Sequence, residues 1–281
     1  MSKDLLFGKN MKTPPKPFLK WVGGKQRLLQ SLLRRTPLFF RNYHEPMVGG
    51  GALFFELSRR GLIKEAYLGD LNERLIRTYR AVRDDVDKVI SLLSSYPNEE
   101  SFYLALRAAP LESLSDVEIA CWFLYLNRTC FNGLYRVNKS NFFNVPFGKY
   151  KNPKICNEGL LRSCSEALQK AHLIQGPFEK VLENTQEGDF VYFDPPYVPL
   201  TKTSNFTSYT PGGFGFRDHV FLRDVSWELR RKKKVYVLLS NSWTELPLEL
   251  YRKYHIEQVE VRRAISAKNK GRKIVTEAII W

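Results

Sequence analysis

Four stretches of this sequence hold residues whose types and spacing can do chemistry. The first is Asp194-Pro195-Pro196-Tyr197, directly after the apolar run at 190–193. Asp194 offers a carboxylate. The two prolines lack N–H groups and restrict the backbone, so carbonyls are held in a fixed geometry. Tyr197 adds an aromatic plane. An exocyclic amine on a nucleobase calls for these parts: an acceptor for each N–H and a ring to stack on. A Pro-rich turn closing a strand is the plainer alternative. The second stretch is Glu45-Pro46-Met47-Val48-Gly49-Gly50-Gly51-Ala52, and a helix is expected to start at 53–58. Glycines let a backbone approach a ligand closely, and a Gly-rich turn before a helix suits a nucleotide-like cofactor. The turn lacks the Gly-Lys-Ser/Thr ending of a phosphate loop, and a structural turn fits it equally well. Asp70 follows about twenty residues on, at the end of the next strand, where dinucleotide folds place an acid for ribose hydroxyls.

The third stretch is Phe18-Leu19-Lys20-Trp21-Val22-Gly23-Gly24-Lys25. It is half of a phosphate loop at most, and that reading is rejected. A tryptophan among glycines can cover a cofactor, and lysines can meet phosphate or carboxylate. The fourth, 127–150 (NRTCFNGLYRVNKSNFFNVPFGKY), mixes Asn, Arg and Lys donors with aromatics. Arginine can bond a guanine edge bidentately, and apolar side chains can wedge between base steps. A surface loop pinned by its aromatics accounts for the same pattern.

The elements around these stretches define an α/β chain. Residues 28–38 read as a short basic helix and 65–70 as a strand. Residues 72–96 read as one helix ended by Pro97, since Leu75, Ile76, Tyr79, Val82, Val86, Val89, Ile90 and Leu93 recur at helical spacing. Ser115 and Glu118 form a capping box before a helix at 117–127 that is apolar nearly all round. Residues 128–158 read as loop. Strands are expected at 190–193 and 235–239, a helix at 218–231, and a hairpin from 255–261 and 274–280. The sum is a sheet built from both ends of the chain, interrupted by a largely helical insert.

Composition sets the class of partner. The chain has 281 residues and a net charge of +15, with 43% hydrophobic residues. That excludes a mostly disordered chain. No apolar run approaches the ~18 residues of a membrane span. Cys121, Cys130, Cys156 and Cys164 show no C-x-x-C pairing and the four histidines are scattered, so no metal site or disulfide framework is expected. No secretory leader is read, and a reducing cytoplasm is the default expectation. Residues 1–41 net +9, residues 262–281 net +5, and the 220 residues between them +1. Joined by the fold, the two ends would make a positive face for a polyanion such as nucleic acid.

Taken in order, K-W-x-G-G-K, E-P-x-V-G-G-G, G-D-x-N at 69–72, F-N-G-L-Y-R-V-N, N-V-P-F-G-K-Y, D-P-P-Y, the SNFTSYT segment at 204–210 and S-N-S at 240–242 resemble the Dam-type, D12-class DNA adenine-N6 methyltransferases. The resemblance implies a Rossmann-like methyltransferase sheet formed by 1–73 and 171–281, with a target-recognition insert at 74–170. It implies S-adenosyl-L-methionine as methyl donor, bound by Trp21, Lys25, Asp70, Phe178 and Asp194, with Gly49, Gly50 and Gly51 lining its methionine end. Asp194 and the Pro196 carbonyl, held by Pro195, would take the target amine, and Tyr197 would stack on the adenine. Double-stranded DNA would be read at GATC, with Lys20 and Arg136 on guanines. Phe131 and Asn132 would fill the space around a flipped base, and Leu134, Pro146 and Tyr150 would add contacts. Membership of a restriction–modification pair is one expected setting, and a monomer is the expected form. Three departures stand out. Met47 replaces a frequent Phe, Phe131 a frequent Tyr, and Pro177 stands before Phe178 where an acid often bonds the cofactor's adenine. The tail loop at 267–273 is also more Lys-rich than usual.

The implied chemistry is direct methyl transfer without metal or covalent intermediate. Bonds from the amine to Asp194 and the Pro196 carbonyl would localise its lone pair and stabilise the charge that develops on nitrogen. A stacked duplex hides the amine, so the base must flip out. Three alternatives stay open: an RNA base methyltransferase, a catalytically dead DNA-binding relative, and a protein-glutamine methyltransferase. The last usually carries Asn before P-P-Y.

Overall fold

The computed structural model describes residues 13–198, 213–262 and 274–281. Residues 1–12, the segment at 204–210 and the loop at 267–273 fall outside the described residues. The described chain runs through α1 (Leu29–Arg35), β1 (Tyr43–Glu45), α2 (Ala52–Arg59) and β2 (Ala66–Asp70). Five helices follow: α3 (Glu73–Asp84), α4 (Val86–Ser94), α5 (Glu100–Arg107), α6 (Asp116–Thr129) and α7 (Glu158–Leu168). The sheet resumes with β3 (Ala171–Gln175), α8 (Val181–Asn184), β4 (Phe190–Phe193), α9 (Phe216–Arg231) and β5 (Tyr236–Ser242). It closes with α10 (Glu245–Leu250), β6 (Ile256–Arg262) and β7 (Ile274–Ile280).

The seven strands lie in the order β3-β2-β1-β4-β5-β7-β6. Neighbours are parallel except β7, which runs antiparallel to both β5 and β6. This is the Rossmann-like methyltransferase sheet, an α/β fold. Its strand order reverses at the β1–β4 pair, and ligands in such sheets bind beyond the carboxyl ends of strands at that point. Asp194 immediately follows β4, and the Gly-rich turn immediately follows β1.

Alternation builds the core. Along β4, Phe190 and Tyr192 join one cluster while Val191 and Phe193 face the other, under Leu222, Val225 and Leu229 of α9. The first cluster continues without a break into α3 and α6. Helix α6 is buried from Ile119 to Asn127. Its start is fixed by the expected capping box: the Glu118 amide donates to Ser115 Oγ (3.3 Å), and the Ser115 amide to Glu118 Oε2 (2.8 Å). Asn72 caps α3, its Oδ1 accepting from the Leu75 amide at 3.2 Å.

The single helix read over 72–96 is corrected to two. Asp85, at φ −133°, leaves the helical region between α3 and α4, and the second helix ends before Pro97. The apolar period survives this break because both helices pack on α6. Strand β1 was not foreseen. Its three residues are Tyr, His and Glu, all buried, and buried polar groups hide a strand from a hydrophobicity pattern. His44 Nε2 meets Asp189 Oδ2 at 2.9 Å, just before β4. Glu45 Oε2 accepts from the Tyr43 hydroxyl (2.8 Å) and the Phe54 amide (3.3 Å). Among the described residues no helix is long and apolar enough to cross a membrane.

Burial pushes the Glu45 carboxyl up from 4.5 to about 8, because no solvent compensates its charge. The native state therefore binds a proton that the unfolded chain releases between these values. Stability from this group is full below pH 4.5 and is lost as pH rises through about 8. Glu45→Gln, which imitates the neutral form, should flatten the fall in stability between pH 5 and 8 by on the order of a few kcal/mol. Urea denaturation at the two pH values measures this, and an unchanged slope contradicts it.

Candidate active site

Asp194 sits at the carboxyl end of β4 with two donors on one oxygen. Lys25 Nζ lies 2.7 Å from Oδ1, and Ser240 Oγ donates to the same atom at 2.9 Å. The Tyr192 hydroxyl meets Ser240 Oγ at 2.8 Å and so orients it. Lys25 opens a short 3-10 turn, is only 7% exposed, and also donates to the Gly23 carbonyl at 2.5 Å. Its ammonium lies 4.5 Å from the centre of the Tyr197 ring. Burial pushes the Asp194 carboxyl up, and the charge and hydrogen bond of Lys25 pull it back down. A half-buried carboxylate that accepts two hydrogen bonds thus has a cation supplied by the N-terminal arm.

The tyrosine after the prolines is anchored at its far end. Its hydroxyl donates to Glu277 Oε2 on β7 at 2.8 Å. The chain beyond it is clipped to β5, with the Val198 amide 3.4 Å from Asn241 Oδ1 and Ser242 Oγ donating to the Val198 carbonyl at 2.9 Å. The D-P-P-Y turn is therefore held at both ends.

Asp70, at the end of β2, bridges the two turns beside it. It accepts from the Gly49 amide at 3.0 Å and the Asn72 amide at 2.9 Å. Burial still raises it from 3.8 to about 6. Gly49 and Gly51 have φ of +47° and +65°, a region costly for other residues. A Cβ on Gly49 would lie 2.6 Å from the Trp21 indole nitrogen. Trp21 rests on this turn and stacks on Tyr135 (5.7 Å) and Phe123 (6.3 Å). The Tyr79 hydroxyl donates to the Gly49 carbonyl at 3.0 Å. The structure thus brings Trp21, Lys25, Gly49, Gly50, Gly51, Asp70 and Asp194 to one edge of the sheet. Phe178 lies in the second cluster, with its ring edge-on to Phe193 at 6.4 Å and tilted on Phe221 at 5.5 Å. Beside it, Lys180 Nζ donates to the Gln175 carbonyl at 3.2 Å, near the position where Pro177 offers no N–H.

The residues read as DNA contacts form a second group. Asn127 on α6 joins the arm to the loop: Oδ1 accepts from the Lys20 amide, while Nδ2 donates to the Lys20 and Gly133 carbonyls (2.8, 2.8 and 3.1 Å). Lys20 Nζ lies 5.2 Å from the Tyr150 ring centre, and the Tyr150 hydroxyl accepts from the Asn132 amide at 2.9 Å. The Phe131 amide donates to the Pro146 carbonyl at 2.9 Å, and the Phe131 side chain stays 47% exposed. Asn132 has a positive φ of 55°. Arg136 is exposed and donates to Asn144 through Nε (2.7 Å) and a terminal nitrogen (3.1 Å). Leu134 is half-buried against the core. Asn144, Ser240, Tyr192 and Glu277 carried no assigned role in the sequence reading. Glu277 was visible there as the lone acid in a basic tail.

The family model described as D12 class N6 adenine-specific DNA methyltransferase matches residues 21–265. The chain belongs to this family. It is 44% identical over 273 residues to a Type II methyltransferase, M1.LlaDCHI, of Lactococcus lactis subsp. cremoris, covering 94% of each chain. It is 40% identical to the Type II methyltransferase M.MjaIII of Methanocaldococcus jannaschii, covering 92% of this chain and 95% of that one. It is 35% identical to the DNA adenine methylase of Haemophilus influenzae, covering 94% and 92%. The chain is thus an adenine-specific DNA methyltransferase, and its nucleic-acid partner is DNA.

Lys25→Met removes the cation that lowers Asp194. If ionised Asp194 is required, the acid limb of the pH–activity profile should move to higher pH by about one unit or more. Lys25→Arg should restore part of the shift. A lower rate with an unmoved limb would place Lys25 outside this role.

Proposed function

We propose that this methyltransferase transfers the methyl of S-adenosyl-L-methionine to adenine N6 within GATC in double-stranded DNA, acting on a flipped base. The observation that carries the reading is the Asp194 carboxylate. It is held by Lys25 and Ser240 at the β1–β4 reversal, with the Tyr197 ring beside it. The residues present fit the methyl donor. A glycine turn that a Cβ would crowd lies beneath Trp21, the half-buried Asp70 closes the end of β2, and Asn72 Nδ2 nearby is a buried donor with no partner among the described residues. Trp21, Asp70 and the 49–51 turn would hold it, and it brings a methyl group already activated on a sulfonium. The nearby carboxylates suit that positive charge.

Asp194 accepts one N–H of the target amine and the Pro196 carbonyl accepts the other. Both of Asp194's partners among the described residues are on Oδ1, so the amine is assigned to Oδ2. Tyr197 stacks on the adenine, and its bond to Glu277 sets the ring's tilt. These contacts position nitrogen in line with the methyl group and stabilise its growing positive charge. Residues 74–170 serve as the recognition insert. In it Phe131 and Asn132 enter the gap left by the base, and Asn144 aims the Arg136 guanidinium at a guanine. Leu134, Pro146, Tyr150 and Lys20 complete the surface.

The direct experiment uses labelled S-adenosyl-L-methionine and DNA lacking adenine methylation, followed by mapping of modified sites. Label at N6 of GATC supports the reading, and label at another sequence overturns the specificity. Asp194→Ala should reduce turnover by more than about a hundredfold with duplex affinity nearly intact, and retained turnover would sink its assignment. Arg136→Ala should relax discrimination at one guanine by about 1–3 kcal/mol. A uniform loss across sequences would mark Arg136 as a phosphate contact instead.

A further inference from the structure

Asp194 lies at the carboxyl edge of the sheet, yet the densest run of cations in the chain lies at the opposite edge. Arg230, Arg231, Lys232, Lys233 and Lys234 end α9 and lead into β5. Arg252 and Lys253, between α10 and β6, are brought beside them. Trp227 marks the junction, with the Arg231 guanidinium 4.7 Å and the Lys253 ammonium 5.6 Å from its ring. Arg230 lies 4.5 Å from the Tyr254 ring. Three acids offset part of the charge: Glu228 at 3.8 Å from Lys232, Glu187 at 3.5 Å from Lys234 and Glu249 at 3.0 Å from Arg252. Lys233 is spent internally on the Leu182 and Thr185 carbonyls. Arg231, Lys232, Lys234, Arg252 and Lys253 remain exposed.

This cluster lies away from Asp194. Ser240, which bonds Asp194, is four residues along β5 from Tyr236, a strand run of roughly 13 Å. The cations precede Tyr236 and lie on the far side of that run. A straight duplex seated at the carboxyl edge does not reach round to them. The cluster still has the features of a phosphate-binding surface: excess positive charge, and cations arrayed on the half-buried Trp227 and buried Tyr254 rings that fix their positions. The partner that this enzyme meets at high local concentration is its own substrate polymer.

We propose that the Trp227–Arg231–Lys253 face is a second, sequence-independent docking surface for duplex DNA, so that one enzyme molecule can hold two DNA segments. The proposal rests on DNA being the partner, and not on the target sequence or the methyl donor.

The test captures a second duplex. Beads carrying one short duplex are loaded with the enzyme, and a second, dye-labelled duplex is added over a range of salt concentrations. The wild type should retain the dye. The triple variant Arg231→Ser, Lys232→Ser, Lys253→Ser should lose about tenfold or more of that retention, and its salt slope should fall by about 2–3. Its kcat/KM on one short duplex should stay unchanged. A control with equal charge loss elsewhere, Lys64→Ser, Lys88→Ser, Arg162→Ser, should behave as the wild type. No retention by the wild type, equal loss in the control, a raised KM of the triple variant on the short duplex, or retention of RNA but not duplex would each overturn the proposal. Failure of the methylation reading would show separately, as an inactive wild type on the short duplex.

Discussion

The site turns on one constraint: the half-buried Asp194 carboxylate, raised by burial, is set against a cation that lowers it. Asp194 follows a strand whose four residues are all buried, so its charge needs an internal partner. That partner does not come from the sheet. It comes from Lys25, in an arm that reaches across before the first strand. Much else follows from keeping this cation in place. Gly23 supplies a carbonyl to it, the 3-10 turn that it opens sets its height, and Phe18 and Leu19 bury the arm in the core. Asn127 and Arg128 of α6 fasten the arm through the Lys20 backbone and the Phe18 carbonyl. A buried ion pair adds little net stability, yet losing one partner is costly.

Legibility in the sequence followed the kind of signal each element gives. Strand β4, helix α6 and the β6–β7 hairpin were visible because apolar period and capping agree there. Strands β1 and β3 were not. β1 buries a histidine and a glutamate, and β3, at the sheet edge, exposes His172 and Gln175. The helix break at Asp85 was masked because the apolar face continues in phase across it. The site residues were legible as motifs, but their mutual geometry was not. No spacing rule links Lys25 to Asp194 or Tyr197 to Glu277, which are brought together only by strand order. The charge count also misled in one respect. A middle that is nearly neutral in sum contains a concentrated cationic face at the end of α9, cancelled on paper by acids elsewhere.

The two ends of the chain, which carry the excess charge, do meet. The Arg35 guanidinium lies 4.4 Å from the Trp281 ring and bonds Glu257 at 2.7 Å. Glu257 pairs with Ile279, which pairs with Ser240, so this contact lies level with the residue that bonds Asp194. Arg262 at the end of β6 pairs with Ile274 at the start of β7, beyond the Ser242–Glu277 pair and so on the same side as the D-P-P-Y turn.

Trp21 has a consequence of its own. One face of its indole lies against the Gly49–Gly50 backbone, and its ring is the top of a stack that continues through Tyr135 and Phe123. The wall of the glycine turn is thus also a wall of the helical insert. Tyr135 is one residue from Arg136, so the glycine turn and the exposed loop that carries Arg136 share one aromatic stack.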